Sequence, residues 1–430
     1  MIAAATISCS EMTIEKITDT FLSELLSHLQ RSKKSFYALV SLLSLCLLAY
    51  NSASVFCAKV PFPPKTSPEP ALFLPENVAA KSRKFFSISF SAKQPPFPPE
   101  LKSHLPLLHK NPNFAKEVDD FYPKRRKRQK FAKVKPFQVR VRNFFNKNSS
   151  NSACESRFFM TWISSAESFG EREMFSITSL FKTHPNGCLI IASNSLDSAI
   201  GMQILKPLLR KGFRLMPISP NFEFLFKGTP AEVWYNQLMQ GNVDTGEVAL
   251  GQNLSNLLRL GLLYRFGGIY LDTDMIILKS FGGLRNVIGA QAIDLESGNW
   301  TRLNNAVMIF DEGHPLVFKF IQEFALTFDG NKWGHNGPYL VSRVVARVGG
   351  RPGYNFTVMP PMAFYPVDWS KVRGLFEGPQ SLSHSKWLLA KLRQIQSESF
   401  AVHLWNKQSR GFEVEKGSVI QHLMFGCGVE

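Results

Sequence analysis

Two acidic residues stand out for what they could do together: Asp272 and Asp274, in the stretch LLRLGLLYRFGGIYLDTDMIILKSF. Both interrupt an apolar run from Ile269 to Leu278 whose composition belongs in an interior. Buried paired carboxylates are costly unless a cation accompanies them. With one residue between them, two carboxylates point the same way on an extended chain. Together they can hold a hard divalent cation through oxygen ligands. Such a cation, with positions left open, takes two phosphate oxygens of a nucleoside diphosphate and neutralises the charge that develops on the leaving group. Asp-x-Asp alone is a weak signal, since two surface acids in a turn produce it often. The apolar context is what makes this one a metal-site candidate.

The flanking pattern supplies the elements that would carry the pair. Gln252–Phe266 has apolar residues at helical spacing and stops at Gly267-Gly268. Ile269–Leu271 then reads as a strand running straight into Asp272. Upstream, Phe158–Ile163, Gly187–Ala192 and Phe213–Ile218 read as short strands, and Glu171–Thr183 and Ser198–Lys211 as helices. Alternation of this kind predicts an α/β domain with a mainly parallel central sheet. In such sheets ligands bind beyond the carboxyl ends of strands, which is where Asp272 falls.

The rest of the chain bounds the compartment. Of its 430 residues with net charge +17, residues 59–147 carry 20 Lys/Arg against 6 Asp/Glu, whereas residues 148–430 are nearly balanced. The basicity therefore precedes the globular part, which argues against a nucleic-acid-binding domain. An apolar run over residues 36–58 is long enough to cross a bilayer. Arg31, Lys33 and Lys34 before it place residues 1–35 in the cytosol and the bulk in the lumen, a single-pass type II anchor. A cleaved signal peptide is the rival reading, and a purely soluble chain the bland one. Residues 59–150, rich in Pro, Ser, Lys and Phe, read as a largely disordered stem. Within it the basic run Lys124–Arg128 reads as part of a solvated stem, with a nuclear signal, a polyanion patch and a processing site as alternatives. The catalytic domain divides into a donor-binding region, 151–290, and a C-terminal acceptor-side region, 291–430. Cys154, Cys188 and Cys427 are luminal in this topology, where disulfides persist. A Cys154–Cys188 bridge is the simplest pairing and leaves one thiol over. Sequons at Asn148, Asn299 and Asn355 are glycosylation candidates, Asn148 first; a fourth, at Asn253, falls in the packed helix.

The block from Asn253 to Phe281 resembles the DXD-containing sugar-binding region of the α-1,4-glycosyltransferases. The motifs WTRLNNAVMIFDEGHP (Trp300–Pro315), WGHNGPYLVSRV (Trp333–Val344), FYPVDW (Phe364–Trp369) and HLWNKQSR (His403–Arg410) resemble that family's second conserved region. The likeness covers about residues 155–425, and its look is that of plant members. It implies a nucleotide-sugar-binding fold of the GT-A type. It also implies a UDP-sugar donor of galactose or N-acetylglucosamine, a divalent cation (usually Mn²⁺) and retention of anomeric configuration. The family setting is the Golgi membrane, with a glycan or glycosphingolipid acceptor. Asp274 would bind the metal directly; Asp272 would contact the donor, with a contact to the metal through water as its second role. Trp162 would stack on the nucleobase, and Arg259 and Tyr270 would line the donor pocket. His403 and Asn406 would close over the diphosphate, with His403 a candidate third metal ligand. Asn304, Asn305, His335 and Asn336 fall on the acceptor side. Related families carry Ser-Asp where this chain has Ser255-Asn256. Asn256 can still hydrogen-bond sugar hydroxyls but brings no charge.

Three other functions fit less well. An Asp-nucleophile phosphatase lacks its following residues. A nucleic-acid binder has only the stem charge in its favour. A non-catalytic glycosyltransferase-like partner would not need Asp272, Asp274, Arg259 and His403 together.

Overall fold

The computed structural model describes residues 135–146 and 154–426, together with a two-residue strand at 87–88. Residues 1–35, expected to be a cytosolic tail, the apolar run 36–58, Asn148 and Cys427 lie outside the described residues. Among the described residues no helix is long and apolar enough to cross a membrane.

Ten strands are described: β1 (Ser87–Ile88), β2 (Ser156–Thr161), β3 (Gly187–Ala192), β4 (Leu215–Ile218), β5 (Gly268–Leu271), β6 (Met275–Ile277), β7 (Val287–Ile293), β8 (Trp300–Phe310), β9 (Phe356–Met359) and β10 (Ala401–His403). Eight form one sheet in the order β1-β9-β7-β8-β5-β2-β3-β4; β10 and β6 make a separate antiparallel pair. The half β5-β2-β3-β4 is wholly parallel. Antiparallel β8 closes it, pairing with both β5 and β7. The fold is thus mixed α/β with a largely parallel sheet.

Helices cover both faces. α1 (Phe137–Asn146), α2 (Glu171–Thr183), α3 (Ala199–Arg210), α4 (Phe222–Phe226), α5 (Pro230–Met239) and α6 (Leu250–Phe266) precede the Asp pair. α7 (Pro315–Thr327), α8 (Pro338–Val348), α9 (Pro361–Phe364), α10 (Leu382–Glu398), α11 (Asn406–Ser409) and α12 (Val419–Phe425) follow β8. The strands bury both faces, so their side chains alternate between two cores. Phe159, Ile190, Tyr270 and Met308 join the core under α6, and Phe158, Ile191, Leu271 and Val307 the opposite one.

Two sequence expectations change here. The stretch read as the end of a disordered stem contains α1, whose Phe137, Val141 and Phe145 are buried. They recur every fourth residue and pack on Phe159, Phe224 and Phe266, so this short amphipathic helix is part of the fold. The division at 290/291 falls inside β7, so the two regions share one sheet. Cys154 and Cys188 are disulfide-bonded as expected, tying the entry of β2 to β3.

Gly267 and Gly268 have φ of 59° and 118°. A Cβ on Gly268 would lie 2.6 Å from the Arg157 carbonyl oxygen, and one on Gly267 2.5 Å from the Glu312 nitrogen. Only glycine turns α6 into β5 this tightly. Gly268→Ala should therefore lower stability by more than about 1 kcal/mol, read as a drop in the urea midpoint. An unchanged midpoint would show that the turn tolerates a side chain.

Candidate functional site

Asp272 and Asp274 sit just past the carboxyl end of β5, at the floor of a cleft of about 990 Å³. The chain turns between them instead of running extended, so their carboxylates are met by different partners. Asp272 faces α6. Arg259 Nη1 lies 3.1 Å from its Oδ1, and the Tyr270 hydroxyl donates to the same oxygen at 2.7 Å. Asp274 faces β10 and the segment after it. His403 Nε2 lies 3.1 Å from its Oδ1, and the Asn406 backbone N–H donates to Oδ2 at 2.9 Å.

The pairing of β10 with β6 places His403 opposite Met275, beside Asp274. Trp405 is then held left-handed at φ 55°, ψ 55°, a conformation unfavourable for a bulky residue. Its indole donates to the Val367 carbonyl at 2.9 Å and its ring packs 4.1 Å from His403. That turn aims the Asn406 N–H at Asp274. Glu173 from α2 fixes the same segment from behind, accepting from the Asn406 amide at 3.3 Å and from Arg410 at 3.1 Å.

A hydrogen-bond chain supports Asp272. Since the Tyr270 hydroxyl gives its proton to Asp272, Thr161 must donate to Tyr270 (2.8 Å) and Ser255 to Thr161 (2.7 Å). Arg259 completes the set by donating to the Ser255 hydroxyl and to the Asn305 carbonyl at 2.8 Å, while its guanidinium stands 4.4 Å from the centre of the Tyr270 ring.

The charges follow from these contacts. Burial raises the Asp272 carboxyl, and the neighbouring Asp274 adds to that; Arg259 opposes both without overcoming them. Burial would raise Asp274 as well, but the His403 imidazolium and the hydrogen bonds outweigh it and hold the carboxyl low. His403 is driven down by burial and more strongly up by Asp274, so it binds its proton more tightly than usual. Burial carries the Tyr270 hydroxyl far up, keeping it a donor.

One ligand atom from each of Asp272, Asp274 and His403 lies within 4.8 Å of the others. The buried His403 Nδ1 and Asn406 Oδ1 have no hydrogen-bond partner. Acid oxygens, an imidazole and spare acceptors suit a divalent cation of the Mn²⁺ type.

Most of the other sequence candidates line the same cleft. Trp162, Asn256, Arg259, Asn304, Asn305, His403 and Asn406 are all in its wall. Asn305 donates to the Asn256 carbonyl oxygen at 2.9 Å, and Asn304 to Gln291 at 3.0 Å. Three candidates sit elsewhere. Tyr270 is fully buried beneath the floor and acts through Asp272. His335 bonds the Thr327 carbonyl, and Asn336 is buried against Asn253 and Asp329. Neither His335 nor Asn336 reaches the cleft, because both are used to shape the turn after α7. Asn299 and Asn355 are exposed, whereas Asn253 is buried. Sequence reasoning missed Thr161, Ser255 and Glu173, ordinary residue types whose roles arise only from long-range contacts.

Comparison with known proteins follows this geometry. Residues 170–293 match the glycosyltransferase sugar-binding region containing a DXD motif, and residues 309–425 the α-1,4-glycosyltransferase conserved region. Human lactosylceramide 4-alpha-galactosyltransferase is 32% identical over 261 residues, covering 57% of this chain and 67% of the relative. An uncharacterized protein of Arabidopsis thaliana is 28% identical over 291 residues, 66% of this chain and 42% of that one. Human alpha-1,4-N-acetylglucosaminyltransferase is 26% identical over 204 residues, 45% of this chain and 53% of the relative. The chain spans about two thirds of the length of the galactosyltransferase it matches. The two matched regions contribute the Asp pair and the His403 segment to one cleft, and the chain belongs to the α-1,4-glycosyltransferase family, as a hexosyltransferase of that type.

Proposed function

We propose that this chain moves galactose or N-acetylglucosamine from a UDP-sugar to a glycan or glycolipid acceptor, with retention, using a GT-A type fold and Mn²⁺ or another divalent cation. The observation that carries this reading is the convergence of Asp272, Asp274 and His403 at the cleft floor. On the same reading the segment 36–58 anchors the chain in the Golgi membrane as a type II protein with the catalytic domain in the lumen.

Asp272, Asp274 and His403 would hold the cation, which when bound would balance the charge gathering on the departing diphosphate. The chain's own residues do the rest. Trp162 offers the nucleobase an aromatic wall, its indole N–H fixed on the Ser165 carbonyl at 3.0 Å. Arg259 and Asn256 present donors and an amide to the transferred sugar. Lys407 and Arg410, both in the cleft wall, add positive charge near the phosphates. The only carboxylates among the described cleft-lining residues are Asp272 and Asp274, and both are engaged by the contacts above. That supports attack by the acceptor hydroxyl on the face from which the diphosphate leaves, without a covalent intermediate on the enzyme. Positioning and charge stabilisation then supply the acceleration.

Two outcomes are expected. With the full-length chain, Mn²⁺ and a panel of nucleotide sugars, one UDP-sugar should release UDP. Asp274→Asn should cut that release by roughly 100-fold or more; release undiminished in the mutant, at equal folding, would remove the metal-site reading. The second outcome concerns pH. His403 holds its proton more tightly folded than unfolded. Its contribution to stability is therefore present below the ordinary imidazole value of 6.5 and lost as pH rises through the raised value. A metal ligand must be unprotonated, so protons and Mn²⁺ compete there. Without metal, Tm should fall as pH climbs above that ordinary value. The Tm gain from Mn²⁺ should grow over the same interval, and His403→Gln should flatten both trends. A Mn²⁺ gain independent of pH would exclude His403 from the metal shell.

A further inference from the structure

Away from the cleft, a second cavity of about 350 Å³ opens between α7 and α8. It is of the size that small ligands occupy, about 300–1,000 Å³. α7 lends it Lys319, Glu323 and Leu326, which share one face at helical spacing. α8 lends Val344, Arg347 and Val348, again on one face, and Arg351 continues that stripe just past the helix end. Two matched stripes thus make the opposite walls. At the helical rise per residue, Arg347 lies about 14 Å along α8 from Pro338, a residue of the cleft wall. The two cavities are therefore separate, and no residue lines both.

The charge in this cavity is unbalanced. Glu323 is its one carboxylate, and it is buried. Two arginines already neutralise it: Arg343 Nε donates to one oxygen at 3.1 Å, and Arg347 Nη2 to the other. Arg343 stands outside the lining. Lys319 donates to the Gln322 amide oxygen at 3.0 Å, and neither it nor Arg351 has an ion-pair partner among the described residues. Three lining cations therefore meet an acid that is already satisfied. The chain after α8 is turned back by glycines, with φ of 73° at Gly350 and 93° at Gly353. Within that turn the Arg351 N–H bonds the Val348 carbonyl at 3.0 Å, and Tyr354 then completes the lining. Opposite the cations the surface is apolar: Val344 and Val348 are buried, and Leu326 is 48% exposed.

We propose that this cavity is a second ligand site, separate from the cleft, which takes a phosphate monoester bearing an apolar group. Lys319, Arg347 and Arg351 meet the phosphate, and Val344, Val348 and Leu326 meet the apolar part. A phosphate dianion offers three oxygens, enough for two guanidinium forks and an ammonium, whereas a carboxylate brings two oxygens and a single charge. Arg347 can keep Glu323 and still serve the ligand, since a guanidinium has five N–H donors. A bare inorganic anion would leave the apolar wall unused, and an uncharged ligand would strip water from three cations without return. A nucleotide and an acidic phospholipid both carry this chemistry. The site does not depend on the transferase reading above.

The test is calorimetric titration of the full-length chain with phenyl phosphate, methyl phosphate and phenol. It is run in EDTA, and again with UDP and Mn²⁺ filling the cleft, at a pH above the second phosphate ionisation. Phenyl phosphate should bind about fivefold more tightly than methyl phosphate, because its ring covers the apolar wall. Phenol should not bind measurably. The double variant Lys319→Gln/Arg351→Gln should weaken phenyl phosphate about tenfold or more. Its Tm and its release of UDP should match wild type, since both side chains stand outside the cleft. Uridine monophosphate and dihexanoyl phosphatidic acid separate the two sources: the one that displaces phenyl phosphate at lower concentration names the class. Wild-type affinity in the double variant, equal affinity for the two phosphates, or no phenyl phosphate binding in EDTA would overturn the site. So would a signal abolished by UDP and Mn²⁺ and untouched by the double variant, which would put the anion in the cleft. A chain that releases no UDP would strike the transferase reading alone, and the titration in EDTA would still decide this one.

Discussion

Two carboxylates, two residues apart, at the floor of an apolar domain are the constraint to which the surrounding structure answers. Each needs its own counter-charge, since like charges so close cannot both ionise without support. Asp272 draws Arg259 from α6, and Asp274 draws His403 from β10, 129 residues further on. The turn between the acids sends them to different neighbours, yet one ligand atom from each stays within 4.8 Å of His403. Removing one partner of such a pair leaves an uncompensated charge, worth about 3–5 kcal/mol when buried. The site is therefore coupled to the closure of the fold: β10 must dock on β6 before Asp274 is satisfied.

That coupling explains where the rigid parts lie. Gly267-Gly268, the Ser255-Thr161-Tyr270 hydrogen-bond chain and the left-handed Trp405 all fix directions of groups around the Asp pair. The strained Trp405 is over-determined by a hydrogen bond and ring packing, as strain at a working site needs to be. Glu173 anchors Asn406 and Arg410 at once, so the segment beside Asp274 cannot drift independently of α2.

Much of this was legible from local pattern. Glu171–Thr183 and Gly187–Ala192 coincide with the observed helix and strand because their apolar periods are undisturbed. The Asp pair was legible because polar residues in a buried run demand a reason. Other features were not. The helix Phe137–Asn146 hides in a basic, Pro-rich region, its pattern limited to three residues. The turn between Asp272 and Asp274 leaves no mark, since a strand end reads the same whether the chain goes on or bends. In WGHNGP the polar His335 and Asn336 drew attention as chemistry, whereas the fold spends them on the turn and shows the apolar Trp333 to the cleft. Polar side chains in a glycine-rich turn are consumed first by the backbone groups that the turn leaves unpaired.

The charge distribution points the same way. The chain's excess of positive charge lies in residues 59–147, and a reading from net charge alone would look for a polyanion there. The cleft tells more. Its lining carries Arg259, Arg302, Lys407 and Arg410 against Asp272 and Asp274, with His403 beside them. In the absence of any ion that wall is already positive, and walls of low dielectric strengthen its field. Such a field favours a polyanionic ligand, while Arg259 is committed to Asp272 and Arg410 to Glu173. Lys407, resting on the Trp333 ring, and Arg302, on the Tyr339 ring, each have an aromatic face as a partner. An ammonium gives up such a contact at modest cost, on the order of 1 kcal/mol at an exposed site, for a phosphate oxygen.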